Sequence, residues 1–242
     1  MIAALALVGG IYAAFAPSTA ASGEPVLDGA AKQGQLLYND SCISCHGNNG
    51  QGVEGRGPSL IGVGSAAVEF QVTTGRMPAT RQEAQAERKT PVFTDEQAQE
   101  IGAYIQALGG GPQLPEGTDL RGDNIAAGGE LFRVNCSSCH SFGAGGGALS
   151  SGKFAPSLDE STDREIYAAM LTGPQNMPVF GDNQLSPQEK RDIIAYVQNM
   201  KAHADQGGLG IGRIGPVSEG LVIFLVGMVV LIFATLWIAG KS

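Results

Sequence analysis

The pentapeptide C-x-x-C-H occurs twice in this chain, as Cys42-Ile43-Ser44-Cys45-His46 and Cys136-Ser137-Ser138-Cys139-His140, and nothing else in the sequence constrains the fold as strongly. Cysteines at i and i+3 lie on one side of a helical turn, where their two sulfurs can form thioethers with the vinyl groups of one haem. The adjacent histidine then reaches the iron. All four cysteines fall in these motifs, and so do two of the three histidines. A C-x-x-C pair also serves thioredoxin-like redox couples and zinc half-sites. Here no βαβ pattern surrounds either motif, and neither half offers the further ligands that zinc requires. The third histidine, His203, sits in a polar tract and reads as a solvated side chain. The expected cofactors are two covalently bound haems c, held by Cys42 and Cys45 and by Cys136 and Cys139, with His46 and His140 on the irons.

The motifs belong to a longer internal repeat. An offset of 94 residues, Cys42 to Cys136, also lays Gly34 on Gly128 and Tyr38 on Phe132, each on an amphipathic stretch leading into its motif. Further on, Pro58-Ser59-Leu60 matches Pro156-Ser157-Leu158, Thr74-Gly75 matches Thr172-Gly173, and Met77-Pro78 matches Met177-Pro178, while the loop lengths drift. Capping boxes at Thr94 to Gln97 and at Ser186 to Glu189 start a closing helix in each half. Ile101, Tyr104, Ile105 and Leu108 then recur at helical spacing, as do Ile193, Tyr196, Val197 and Met200. Each half reads as helix, haem motif, loop, methionine, helix.

The sixth iron ligand has to come from six methionines. Met1 and Met228 fall in apolar, membrane-type segments, and Met170 and Met200 lie on helical stretches that suit the core. Met77 and Met177 remain, each preceded by a glycine-containing turn and followed by a proline that fixes the loop. They are the expected axial ligands. Methionine opposite histidine raises the reduction potential and fills the coordination sphere, which suits electron transfer and disfavours peroxide or oxygen chemistry at iron.

Residues 221–238 contain no charge and, with their flanks, reach the roughly 20 residues needed to span a bilayer. Trp237 and Lys241 fit a cytoplasmic interface. Residues 2–16 are apolar but short, and read as a retained first membrane helix more readily than as a cleaved signal. Haem attachment to C-x-x-C-H is completed outside the cytoplasm in bacteria, so residues 17–216 are expected on the outer face of the plasma membrane. The resulting architecture is mainly α: two tandem haem-binding domains between N- and C-terminal transmembrane helices. The expected boundaries are a membrane helix at 1–17, a first domain at 24–110, a linker at 111–124, a second domain at 125–203, a tether at 204–216 and a transmembrane helix at 217–240.

Two motifs fail on context. Gly147, Gly152 and Lys153 approach a Walker A loop, but Phe154 stands where Ser or Thr is needed and no strand precedes it. Gly210, Gly212 and Gly215 match a dinucleotide fingerprint by letter, yet Pro216 and a membrane helix follow. The 36 glycines point to long loops and a small regular core, to which a buried macrocycle would contribute. A net charge of −8 removes the attraction a nucleic-acid partner would need.

Gly34, Tyr38, the first motif, Pro58, Met77 and Tyr104 resemble the small monohaem cytochrome c fold, and the second half repeats the set, which implies a mainly α fold of two tandem class I cytochrome c domains with N- and C-terminal transmembrane helices. In that family the proline offers its carbonyl to the histidine ring, a role that would fall to Pro58 and Pro156. The stretches 57–64, 74–78, 146–153 and 171–178 resemble the dihaem cytochrome cc subunit of the actinobacterial cytochrome bcc complex, over nearly the whole chain. The resemblance implies a menaquinol-oxidising, proton-translocating complex in which this subunit has no open catalytic site of its own. Its partners would be a cytochrome b subunit, the Rieske iron–sulfur subunit and the copper subunit of a cytochrome oxidase, with membrane lipid around the anchors. The first haem would accept electrons and the second donate them. Residues 79–93, an insertion relative to the second half, read either as a partner contact or as an ordinary solvated loop. Two rivals are the dihaem subunit of another haem–copper oxidase and a dihaem peroxidase; the second would need an iron position that can open to peroxide.

Overall fold

The computed structural model describes residues 27–203 and 216–241; the expected N-terminal membrane helix and the tether lie outside them. The first half comprises α1 (Gly29–Ser41), α2 (Ile43–His46), α3 (Gly64–Thr73) and α4 (Asp95–Gly109). The second comprises α5 (Ile125–Asn135), α6 (Ser137–His140), α7 (Asp163–Thr172) and α8 (Pro187–Ala202), with a two-stranded antiparallel ribbon of β1 (Gly147–Ala148) and β2 (Phe154–Ala155). A last helix, α9, spans Pro216–Ala239.

In each half the helix before the haem motif crosses the closing helix, α1 on α4 and α5 on α8. Glycine permits the crossing. A methyl on Gly34 would overlap the Glu100 carbonyl, and one on Gly128 the Asp192 carbonyl. Beside the crossing the aligned aromatics meet a tyrosine of the closing helix: Tyr38 and Tyr104 with centroids 5.2 Å apart, Phe132 and Tyr196 with centroids 5.5 Å apart. Both expected capping boxes form, Thr94 with Gln97 and Ser186 with Glu189. A third, Thr162 with Glu165, starts α7 and carries the same T-x-x-E signature. Each half also holds a helix between motif and methionine, α3 and α7.

Each half has its own core, one around Tyr38, Ile101 and Ile105 and one around Phe132, Ile166 and Ile193. A third cluster joins them, where Phe70 of α3 packs on Ala168 and Ala169 of α7. Glu69 and Arg164 brace this junction with paired hydrogen bonds of 2.6 and 2.9 Å. Residues 79–93 also cross to the second half. Gln85 donates to the Phe154 carbonyl and accepts from its N–H, at 2.6 and 2.9 Å, the Ala86 carbonyl accepts from Gln175 at 2.9 Å, and Arg88 pairs with Glu165 at 2.6 Å. The insertion is thus a strap between the two halves. Its charge and lack of hydrophobic period concealed this, because its grip is made of single side chains on distant backbone.

The apolar part of α9, Glu219–Ala239, is 21 residues long with mean hydropathy 2.9, and none of it is buried against the rest of the chain. At 1.5 Å per residue it covers about 30 Å, the thickness of a hydrocarbon core. Among the described residues it is the one helix with this character.

Candidate functional site

Helix α1 stops at the motif. The Cys42 N–H donates to the Tyr38 carbonyl at 2.8 Å, and the N–H groups of Cys45 and His46 turn back to the Cys42 carbonyl at 3.2 and 3.0 Å. Helices α5 and α6 repeat the pattern, with Cys136 on Phe132 at 2.8 Å and Cys139 and His140 on Cys136 at 3.2 and 2.9 Å. Both motifs are thus one fresh turn set off from the preceding helix. In each half a glycine backbone presses on that turn: a methyl on Gly57 would lie 2.7 Å from the Cys45 carbonyl, and one on Gly147 2.7 Å from that of Cys139.

The histidine rings are oriented as the resemblance implies. His46 Nδ1 donates to the Pro58 carbonyl at 2.8 Å, and His140 Nδ1 to that of Pro156 at 3.0 Å. A carbonyl can only accept, so Nδ1 holds a proton, and in the neutral ring Nε2 then keeps the lone pair a metal needs. Burial lowers the His140 pKa and so favours the same neutral ring. Burial also pushes the Cys42 thiol up to about 11 and the Cys136 thiol up to about 12. A dithiol redox couple works through a depressed thiol. These two are raised.

The structure gathers the expected residues into two pockets. Cys42, Cys45, His46 and Met77 line the first, with Pro58; Cys136, Cys139, His140 and Met177 line the second, with Pro156. Met170 also borders the second pocket, from within α7, and is buried there. Two thiols, an imidazole and a thioether around one cavity form a donor set that fits a covalent haem. His203 lies apart, at the end of α8, with Nδ1 2.9 Å from the Asn199 carbonyl.

The pockets differ in who builds them. The first is lined by residues of its own half alone. The second takes Phe70, Arg76, Gln85 and Arg88 from the first half. Sequence reasoning missed these four. The one available signal was the position before each methionine, Arg76 in one half and Asn176 in the other, where the repeat breaks in charge.

The cytochrome c family profile matches residues 31–109, and the profile of cytochrome c oxidase, cbb3-type, subunit III matches residues 123–197. Across the whole chain the likeness is closer to one group. The cytochrome bc1 complex cytochrome c subunit of Corynebacterium diphtheriae is 53% identical over 227 residues, covering 87% of this chain and 81% of that protein. The subunit of the same name from Mycobacterium tuberculosis is 49% identical over 250 residues, covering 100% of this chain and 89% of its own. The chain belongs to this family of cytochrome c subunits. It is an electron-transfer cytochrome with two covalently bound haems c, and its two halves are cytochrome c domains. The FixP subunit of a cbb3-type oxidase from Bradyrhizobium diazoefficiens is 23% identical over 187 residues, a remoter likeness that leaves the oxidase-subunit rival behind.

Proposed function

We propose that this chain relays electrons from a Rieske iron–sulfur protein to the copper centre of a terminal oxidase, as a tethered subunit of a quinol-oxidising complex. The observation that carries the reading is the pair of equivalent pockets, each with a C-x-x-C-H turn and a methionine, joined in one chain through α3, α7 and the strap. Haem supplies one-electron chemistry at iron; the chain supplies position and environment. Cys42 with Cys45 and Cys136 with Cys139 fasten the two groups covalently, so that neither can leave or rotate. His46 and His140, their rings set by Pro58 and Pro156, each present Nε2 to iron. Met77 and Met177 would supply the remaining iron ligand in each domain and so leave no position open to peroxide, which separates this reading from a dihaem peroxidase. Met177 is preferred to Met170 because it alone matches Met77 in the repeat. Helix α9, together with residues 2–16, would hold both domains on the extracytoplasmic face, so that a tethered pair replaces a diffusing carrier. Contacts with a cytochrome b subunit would fix the chain beside the quinol site.

The test uses the assembled complex in membranes. In a Cys136→Ala/Cys139→Ala variant, quinol should still reduce the haem of the first domain while oxygen uptake stops. Undiminished oxygen uptake would sink the relay and its direction together. Met177→Leu should remove the methionine-type absorption of the second haem and lower its potential, whereas Met170→Leu should leave both in place. The reverse result would exchange the two assignments.

A further inference from the structure

Arg76 immediately precedes Met77, yet it lines the pocket of the other domain. It is only 7% exposed, and neither its Nε nor its Nη1 meets a hydrogen-bond acceptor. Its Cζ stands 5.0 Å from the centre of the Phe70 ring, a contact that steadies a cation without offering it an acceptor. A buried guanidinium with open donors is costly, and an anion is what relieves it. The one carboxylate among the pocket's lining residues, Glu165, acts on Arg76 through its charge, but the hydrogen bonds it accepts, both on Oε2, come from Arg88 at 2.6 Å and the Thr162 N–H at 2.9 Å. Lys153 donates to the neutral amide of Asn176 at 2.9 Å.

The charge balance points the same way. Among the lining residues Arg76, Arg88 and Lys153 stand against Glu165, in a chain whose net charge is −8; from outside the lining only Glu160 is added, 3.9 Å from Arg88, which still leaves one cation over. The first pocket shows no such excess. There Arg56 and Arg81 are matched by Glu54 and Glu83, and Arg81 pairs with Glu83 directly.

We infer that Arg76, supported by Arg88 and Lys153, binds the propionate carboxylates of the haem in the second domain, so that the first domain completes the second domain's cofactor site. Haem brings two carboxylates, acceptors of the kind that Arg76 Nε and Nη1 lack. The inference rests on the proposed attachment of haem at Cys136, Cys139 and His140. It gives the strap and the Met77 loop a purpose beyond docking. A fixed cation in a low-dielectric wall favours the state that has gained an electron, so Arg76 raises the reduction potential of the second haem from across the domain boundary.

The experiment is a potentiometric titration of both haems in the full chain, in wild type and in Arg76→Gln, Arg76→Lys and Arg164→Gln, with resonance Raman spectra of the propionate bending modes. Arg76→Gln should shift the second haem's potential downward and change its propionate modes, while the first haem keeps its potential. Arg76→Lys should recover most of the shift. Arg164→Gln, which removes the pair with Glu69 while Phe70 and the strap still hold the two domains together, should leave the second potential in place. With both haems attached, an unmoved second potential in Arg76→Gln, or an equal fall in Arg164→Gln, overturns the inference. A wild-type chain with haem on the first motif alone would instead remove the attachment on which it rests.

Discussion

The two halves of this molecule share a frame and differ in their walls. Gly34 against Glu100 and Gly128 against Asp192 allow the same helix crossing, and His46 on Pro58 and His140 on Pro156 set the same ring geometry. Around that frame, the first pocket closes with residues of its own domain and balanced charge, whereas the second borrows Phe70, Arg76, Gln85 and Arg88 and is left cationic. Duplication thus preserved what holds the group. Divergence fell on what surrounds it. In an electron relay the holding chemistry has to be alike at both stations, while the potentials and the contacts between stations have to differ, and in this chain the difference sits at the domain junction.

The comparison can be broken most severely by emptying one pocket at a time. Cys136→Ala/Cys139→Ala and Cys42→Ala/Cys45→Ala should each leave one haem per chain by haemochrome absorbance. The consequences should differ in place: Ala79 to Glu83 line the first pocket, whereas Gln85 and Arg88 line the second, so limited proteolysis should cut near Arg88 in the first variant and near Arg81 in the second. A strap left uncut at Arg88 in the first variant would deny that it serves the second site. Next in size, Gly34→Ala and Gly128→Ala each force a methyl against a carbonyl and should each cost about 2–3 kcal/mol of domain stability in denaturant unfolding. A large inequality would end the claim that the two crossings are equivalent.

Smaller effects sharpen the picture. Arg164→Gln removes paired hydrogen bonds to Glu69, whose side chain is 12% exposed, and should weaken domain docking by about 1–2 kcal/mol, between the values for exposed and buried pairs. Differential scanning calorimetry should then resolve two transitions where wild type shows one. Smallest of all, Thr94→Ala, Thr162→Ala and Ser186→Ala each remove a capping hydrogen bond and should cost about 1 kcal/mol apiece, read as a lowered Tm. A much larger loss at Thr162 alone would show that α7, under the second pocket, bears more than its own stability.

The legible parts of this molecule were those governed by local chemistry. Two C-x-x-C-H turns, two capping boxes, the aligned glycines and aromatics and the apolar run of α9 each announce themselves within a few residues. Helix α3 was not read, because its alternating small and apolar residues give no clean helical stripe; its burial comes from two sides, α4 beneath and α7 across the junction. The strap is ambiguous in sequence for a related cause. Gln85 and Arg88 look like solvated polar residues until the fold brings Phe154 and Glu165 to them, 69 and 77 residues away in sequence. Arg76 was hidden in a motif quoted for its methionine. What a single guanidinium faces depends on the docking of two domains, and no periodicity reports that.

The account stands or falls on electrons moving between the two haems within one chain. A photoreductant flash that injects a single electron into the oxidised, solubilised protein would test this directly, with the two haems followed at wavelengths where their spectra differ. The relay predicts that the electron redistributes between the two haems at a rate independent of protein concentration, and that the final ratio moves toward the first haem in Arg76→Gln. An electron that stays where it lands, or that moves at a rate proportional to protein concentration, would contradict the account.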